Sequence, residues 1–134
     1  MIAPSLILGM LLLQVGSYAG APDVVLPKTA EKILFSALPN YERHLSGLGF
    51  EQYEGTSNRF YFFTAVWNGP KNGSVVAGNY AVDKYTGDVW SATSSCNELS
   101  TVASRKLQAK VRSELGLSVA KYQKIKTHGP LCDE

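Results

Sequence analysis

Charge is missing altogether from residues 1–22, and residues 2–15 are almost wholly apolar before the chain reaches Ser17, Tyr18 and Ala19. An apolar run of this length followed by small residues reads as a secretory leader. It is too short to cross a ~30 Å hydrocarbon core, which takes a helix of ~20 residues. Cleavage is expected after Ala19, because cleavage after Ala21 would leave Pro22 as the first mature residue. The expected organisation is therefore a signal peptide over residues 1–19 and one domain over residues 20–134, exported to the periplasm or beyond, with no stable membrane insertion. The compartment in turn argues against a nucleic-acid partner.

Cysteine is scarce, with Cys96 and Cys132 alone. An even count in an exported chain favours a disulfide. Joining the two closes a loop of about 36 residues, which chain entropy values at roughly 3–4 kcal/mol. A zinc site would need four ligands; Cys96, Cys132 and His128 match no zinc spacing and a fourth is not evident, so no metal or other cofactor is expected. Histidine is equally sparse. His44 and His128 have no Gly-x-Ser-x-Gly elbow or HExxH helix to serve, and both read as structural or exposed rather than catalytic. The 13 basic and 11 acidic side chains leave a net charge of +2, too small by itself to imply a polyanionic partner.

What is present is distributed unevenly. Residues 28–38 set Ile33, Leu34, Ala37 and Leu38 at helical spacing, with Thr29 as a cap, and Tyr41, Leu45 and Leu48 continue the apolar stripe until Gly47 and Gly49 end it. Residues 51–58 read as a polar loop. Residues 59–67 are dense in aromatic and β-branched side chains, apolar on both faces, which predicts a strand inside a sheet. A turn over residues 68–73 leads to a second strand over residues 74–83, where Gly78 suggests a bulge or a close contact. Residues 84–87 make a tight turn into a third strand over residues 88–92. Ser95 and Glu98 have capping-box spacing before a helix whose apolar positions are Leu99, Val102, Ala103, Leu107, Val111 and Leu115, ended by Gly116. Residues 119–125 read as a last strand flanked by lysines, as suits a sheet edge. The fold class expected is α+β, a three- or four-stranded antiparallel sheet with helices packed on one face and one disulfide.

The hairpin over residues 79–90 carries Val82-Asp83-Lys84-Tyr85-Thr86-Gly87-Asp88-Val89. Gly87 supplies a positive φ, Asp83 and Thr86 can bond turn amides, and Val82 and Val89 meet across the strands. Asp83 and Asp88 flank one turn and read as turn-capping, solvated groups rather than as a catalytic pair. This hairpin, over residues 29–93 at most, resembles the PepSY-type domains of exported bacterial proteins, from which the C-terminal basic helix and the Cys96–Cys132 link depart. The resemblance implies a small extracytoplasmic module without chemistry of its own, associated with peptidase propeptides and with restraint of hydrolases. Small exported proteins of this build also look like the inhibitors or immunity proteins that shield a bacterium from wall-degrading enzymes.

The expected function is accordingly binding, as an inhibitor or immunity protein against a partner hydrolase or toxin. The alternatives are a small secreted hydrolase and a module that binds wall polymer or another anionic surface. Trp67, Tyr85 and Trp90 lie near turns, where half-exposed rings make interface anchors. Residues 105–126 hold seven basic side chains against the single acid Glu114, so Lys106 and Lys110 are the candidates for a basic binding face. Unreduced protein purified from the periplasm should weigh two hydrogens less than the reduced form by mass spectrometry, through the Cys96–Cys132 bond; two freely alkylating thiols would refute the pairing.

Overall fold

The computed structural model describes residues 23–70, 73, 75–93, 97–127, 129 and 130. The expected leader, Cys96, Cys132, Ser95 and His128 lie outside the described residues. Helix α1 (Pro27–Ala37) opens on a proline at its first position, where the missing N–H costs nothing and the fixed φ suits a helix. It stops at Leu38, which is extended because Pro39 disfavours helical geometry in the residue before it. The start therefore lies at Pro27 rather than at a Thr29 cap. A single turn, α2 (Asn40–Arg43), follows.

Five strands form one antiparallel sheet in sequence order: β1 (Gly49–Tyr53), β2 (Phe60–Val66), β3 (Val76–Asp83), β4 (Val89–Ser91) and β5 (Glu98–Leu99). This corrects the expectation of three or four. β1 was hidden in a polar stretch because it is an edge strand whose outer half, Glu51 to Tyr53, is exposed, so it carries no apolar alternation. β2 lies inside the sheet, as its two apolar faces predict. Val82 sits opposite Val89, and the register slips between Ala65 and Val66, across from Gly78, the neighbourhood where a bulge was expected.

The capping box of the long helix is Thr101 with Ser104, not Ser95 with Glu98: the Thr101 hydroxyl accepts from the Ser104 N–H at 3.0 Å, and the Ser104 hydroxyl accepts from the Thr101 N–H at 2.8 Å. Glu98 is spent on β5, and α3 runs over Val102–Glu114. Its inward positions are Ser104, Gln108 and Val111 with Leu107 and Leu115, while Val102 is exposed. The segment read as a last strand is a helix, α4 (Val119–Ile125), capped by the Ser118 hydroxyl accepting from the Lys121 N–H at 3.1 Å. Val119 and Ile125 have β-branched side chains, but the cap and the three-residue spacing of Tyr122 and Ile125, both half-buried, decide for the helix.

Helices α1 and α3 pack together on one sheet face, over a core of Ile33, Leu34, Phe63, Val82, Val89 and Val111. The Thr101 hydroxyl ties them by donating to the Ser36 carbonyl at 2.6 Å. A second cluster, Phe60, Phe62, Ala81 and Trp90, occupies the opposite face. The C-terminal segment lies over it: a Cβ on Gly129 would stand 2.8 Å from the Trp90 ring.

Gly87 has a φ of 74°, and a Cβ there would meet Ile33 Cδ1 at 3.3 Å. Gly87→Val should therefore lower the unfolding free energy by about 1–3 kcal/mol, measured by urea denaturation; an unchanged midpoint would contradict the turn's role.

Candidate functional site

The hairpin between β3 and β4 ends in a buried cluster of opposite charges. Asp83 is fully buried and Asp88 nearly so, which contradicts the expectation that they are solvated. Asp83 Oδ1 accepts from the Tyr85 and Thr86 N–H groups at 2.8 and 3.2 Å, and its Oδ2 accepts from Arg59 Nε at 2.9 Å. Asp88 Oδ2 accepts from the Thr86 hydroxyl at 2.9 Å. Arg112 Nη2 donates to Asp88 Oδ1 at 2.6 Å, and the Tyr122 hydroxyl stands 3.0 Å from both carboxylate oxygens. Burial lifts the Asp88 carboxyl above its ordinary value, against the opposing pull of Arg112. Burial and the Asp88 charge push the Tyr122 phenol up to about 12.

This cluster fastens the C-terminal helices to the sheet. From α3, Gln108 Nε2 donates to the Gly87 carbonyl at 2.9 Å and Arg112 Nε to the Thr86 carbonyl at 2.7 Å. At α4, Arg59 Nη2 donates to the Ile125 carbonyl, and the Arg112 guanidinium lies 3.8 Å from the centroid of the Tyr122 ring. The carboxylates are thus fully engaged as acceptors in holding the fold. Arg112, counted with the basic face from the sequence, points inward and is neutralised there.

Beside the turn lies a groove of about 450 Å³ lined by Arg59, Tyr85, Leu115, Leu117, Lys121 and Ile125, with Asp23 as its one acidic lining residue among those described. Tyr85 is 44 % exposed, its ring 5.5 Å from the Arg59 guanidinium carbon. The sequence singled out Tyr85 but missed the rest of the groove. Arg59 and Lys121 stand 62 positions apart and nothing local in the chain relates them.

The other residues expected to bind a partner are scattered. Trp90 is 7 % exposed and belongs to the second core cluster, so it is scaffold and not an exposed anchor: residue alternation turns it toward Phe60 and Phe62 on the face that the tail covers. Trp67 is half-buried just beyond the end of β2. It is separated from Tyr85 by the seven residues of that strand, roughly 20 Å, so the two rings do not form one small patch. Lys106 and Lys110 are exposed on the outer side of α3. Thr86 and Gly87 are buried in the turn, as their structural assignment requires. Among the described residues no group of three His, Cys, Asp or Glu side chains could hold a metal ion, and no helix is long and apolar enough to cross a membrane.

Arg112→Ala should destabilise the domain by about 3–5 kcal/mol, because Asp88 is left buried without its cation. Adding Asp88→Asn should recover part of that loss. A double variant no more stable than Arg112→Ala, in chemical denaturation, would show that the pair acts only through packing.

No family model and no curated protein matches the chain, so the resemblance to PepSY-type domains rests on the hairpin motif alone. A solved structure does match: a chain of a type VI secretion system effector-immunity complex from Pseudomonas protegens is 28% identical, with a TM-score of 0.59, over 75% of this chain and 85% of that one. The similarity extends well beyond the hairpin, to most of both chains.

Proposed function

We propose that this chain is an exported immunity protein, which protects its own bacterium by binding a toxic effector in the periplasm. The observation that carries this reading is the likeness to a component of an effector-immunity complex over three quarters of the chain. The uncharged apolar leader supplies the compartment, and a protein partner follows from the nature of the matched assembly. The action is stoichiometric occlusion rather than catalysis: Asp83 and Asp88 are committed to holding the turn, while the groove beside them offers a half-exposed tyrosine and the exposed Lys121 ammonium group for contact. The effector is proposed to be a hydrolase, on the reading that exported proteins of this build restrain such enzymes.

A strain deleted for this chain should be killed by its undeleted parent when the two grow in contact on a solid surface. Expressing the chain with its leader should restore survival, and expressing residues 20–134 without the leader should not. Equal survival of the deletion strain beside its parent would refute the immunity reading, while rescue by the leaderless form would refute the periplasmic site.

A further inference from the structure

We infer that the groove between the Asp83–Asp88 turn and α4 is the partner-binding site, and that its occupant is an acidic loop of a protein partner carrying an apolar side chain beside a carboxylate. This rests on the binding role proposed above and gives it a location. The groove has an apolar floor of Leu115, Leu117 and Ile125, an aromatic wall in Tyr85, and cations in Arg59 and Lys121. Arginine and tyrosine beside a desolvated apolar surface are the composition of an interface hot spot.

Charge favours an acidic occupant, because the lining acid Asp23 is outnumbered by Lys121 and by the exposed Lys124 and Lys126 that follow it on and just beyond α4. Arg59 is already balanced by Asp83, which fixes its guanidinium in place. Lys121 has no ion-pair partner among the described residues and is exposed on α4, one turn before the equally exposed Lys124. A carboxylate entering the groove would meet the Lys121 ammonium beside a guanidinium already held in place, whereas a polyanion without an apolar group would leave the floor of the groove unfilled.

The surface is also large enough to extend. Leu117 is shared with a second cleft of about 310 Å³ between α3 and α4, lined by Val119 and Tyr122 among others, and Val119 is 78 % exposed. Apolar surface thus continues from the groove, through Leu117, to Val119 in the second cleft. The outer side of α3 offers Arg105, Lys106, Lys110 and Glu114 with Val102 exposed at its first turn, and none of these residues lines either cleft.

The test uses the parent strain as attacker and the full chain, leader included, as protector. Lys121→Glu with Lys124→Glu, and separately Tyr85→Ala, should abolish protection while leaving the thermal midpoint of the purified protein unchanged. Each should weaken binding to the effector that wild-type chain neutralises by about 30-fold or more. Lys106→Glu with Lys110→Glu should still protect. Loss of protection confined to the α3 variant, or charge reversals that both abolish protection while Tyr85→Ala retains it, would overturn the groove in favour of α3 or of diffuse attraction. Full protection by every variant would overturn it as well. If the wild-type chain itself fails to protect, the immunity reading is what has failed, and the groove assignment falls with it.

Discussion

Two buried carboxylates, Asp83 and Asp88, constrain the rest of the molecule. A carboxylate taken out of water costs several kcal/mol unless cations and hydrogen bonds replace its hydration. Both acids are therefore obliged to gather partners, and half of the donor groups come from distant sequence: Arg59 from the loop before β2, Arg112 from α3 and Tyr122 from α4. The turn amides and the Thr86 hydroxyl complete the set. The result is that a tight hairpin turn becomes the anchoring point for the whole C-terminal third. Apolar burial alone holds these helices weakly: α4 buries no residue fully, and two of the three buried residues of α3 are Ser104 and Gln108.

That anchoring explains how a short helix with an exposed valine and two lysines is held on the surface. Arg59 plays two parts, closing the ion pair with Asp83 and bonding the Ile125 carbonyl at the end of α4. It thereby sets the width of the groove that Tyr85 and Lys121 flank. A binding surface built this way is stiff where it must be, because the guanidinium and the tyrosine backbone are both held by one buried carboxylate. Preorganisation of this kind reduces the ordering cost of association and leaves more of the contact energy as affinity. It suits a protein whose proposed task is to hold one partner tightly.

The sheet divides the remaining apolar residues between two environments. Phe63, Val82 and Val89 are covered by α1 and α3, while Phe60, Phe62 and Trp90 are covered by neighbouring rings and the C-terminal segment. A close approach of that segment needs Gly129, since any side chain there would strike the Trp90 indole.

The local chain by itself determined α1, the interior position of β2, the hairpin and its Gly87, because apolar periodicity, aromatic density and a required positive φ are properties of adjacent residues. The α+β class and helices on one face followed from the same signals. Tertiary structure alone decided the rest. β1 exists because β2 offers it a ladder, although its own side chains face water. Trp90 is scaffold because Gly129 returns over it, and α3 turns Gln108 inward because the turn carbonyl of Gly87 needs a donor. The groove, finally, is made by residues 59, 85 and 121, whose only relation is a shared fold. No short-range pattern encodes it, because the cost of burying Asp83 and Asp88 is settled only when distant cations arrive.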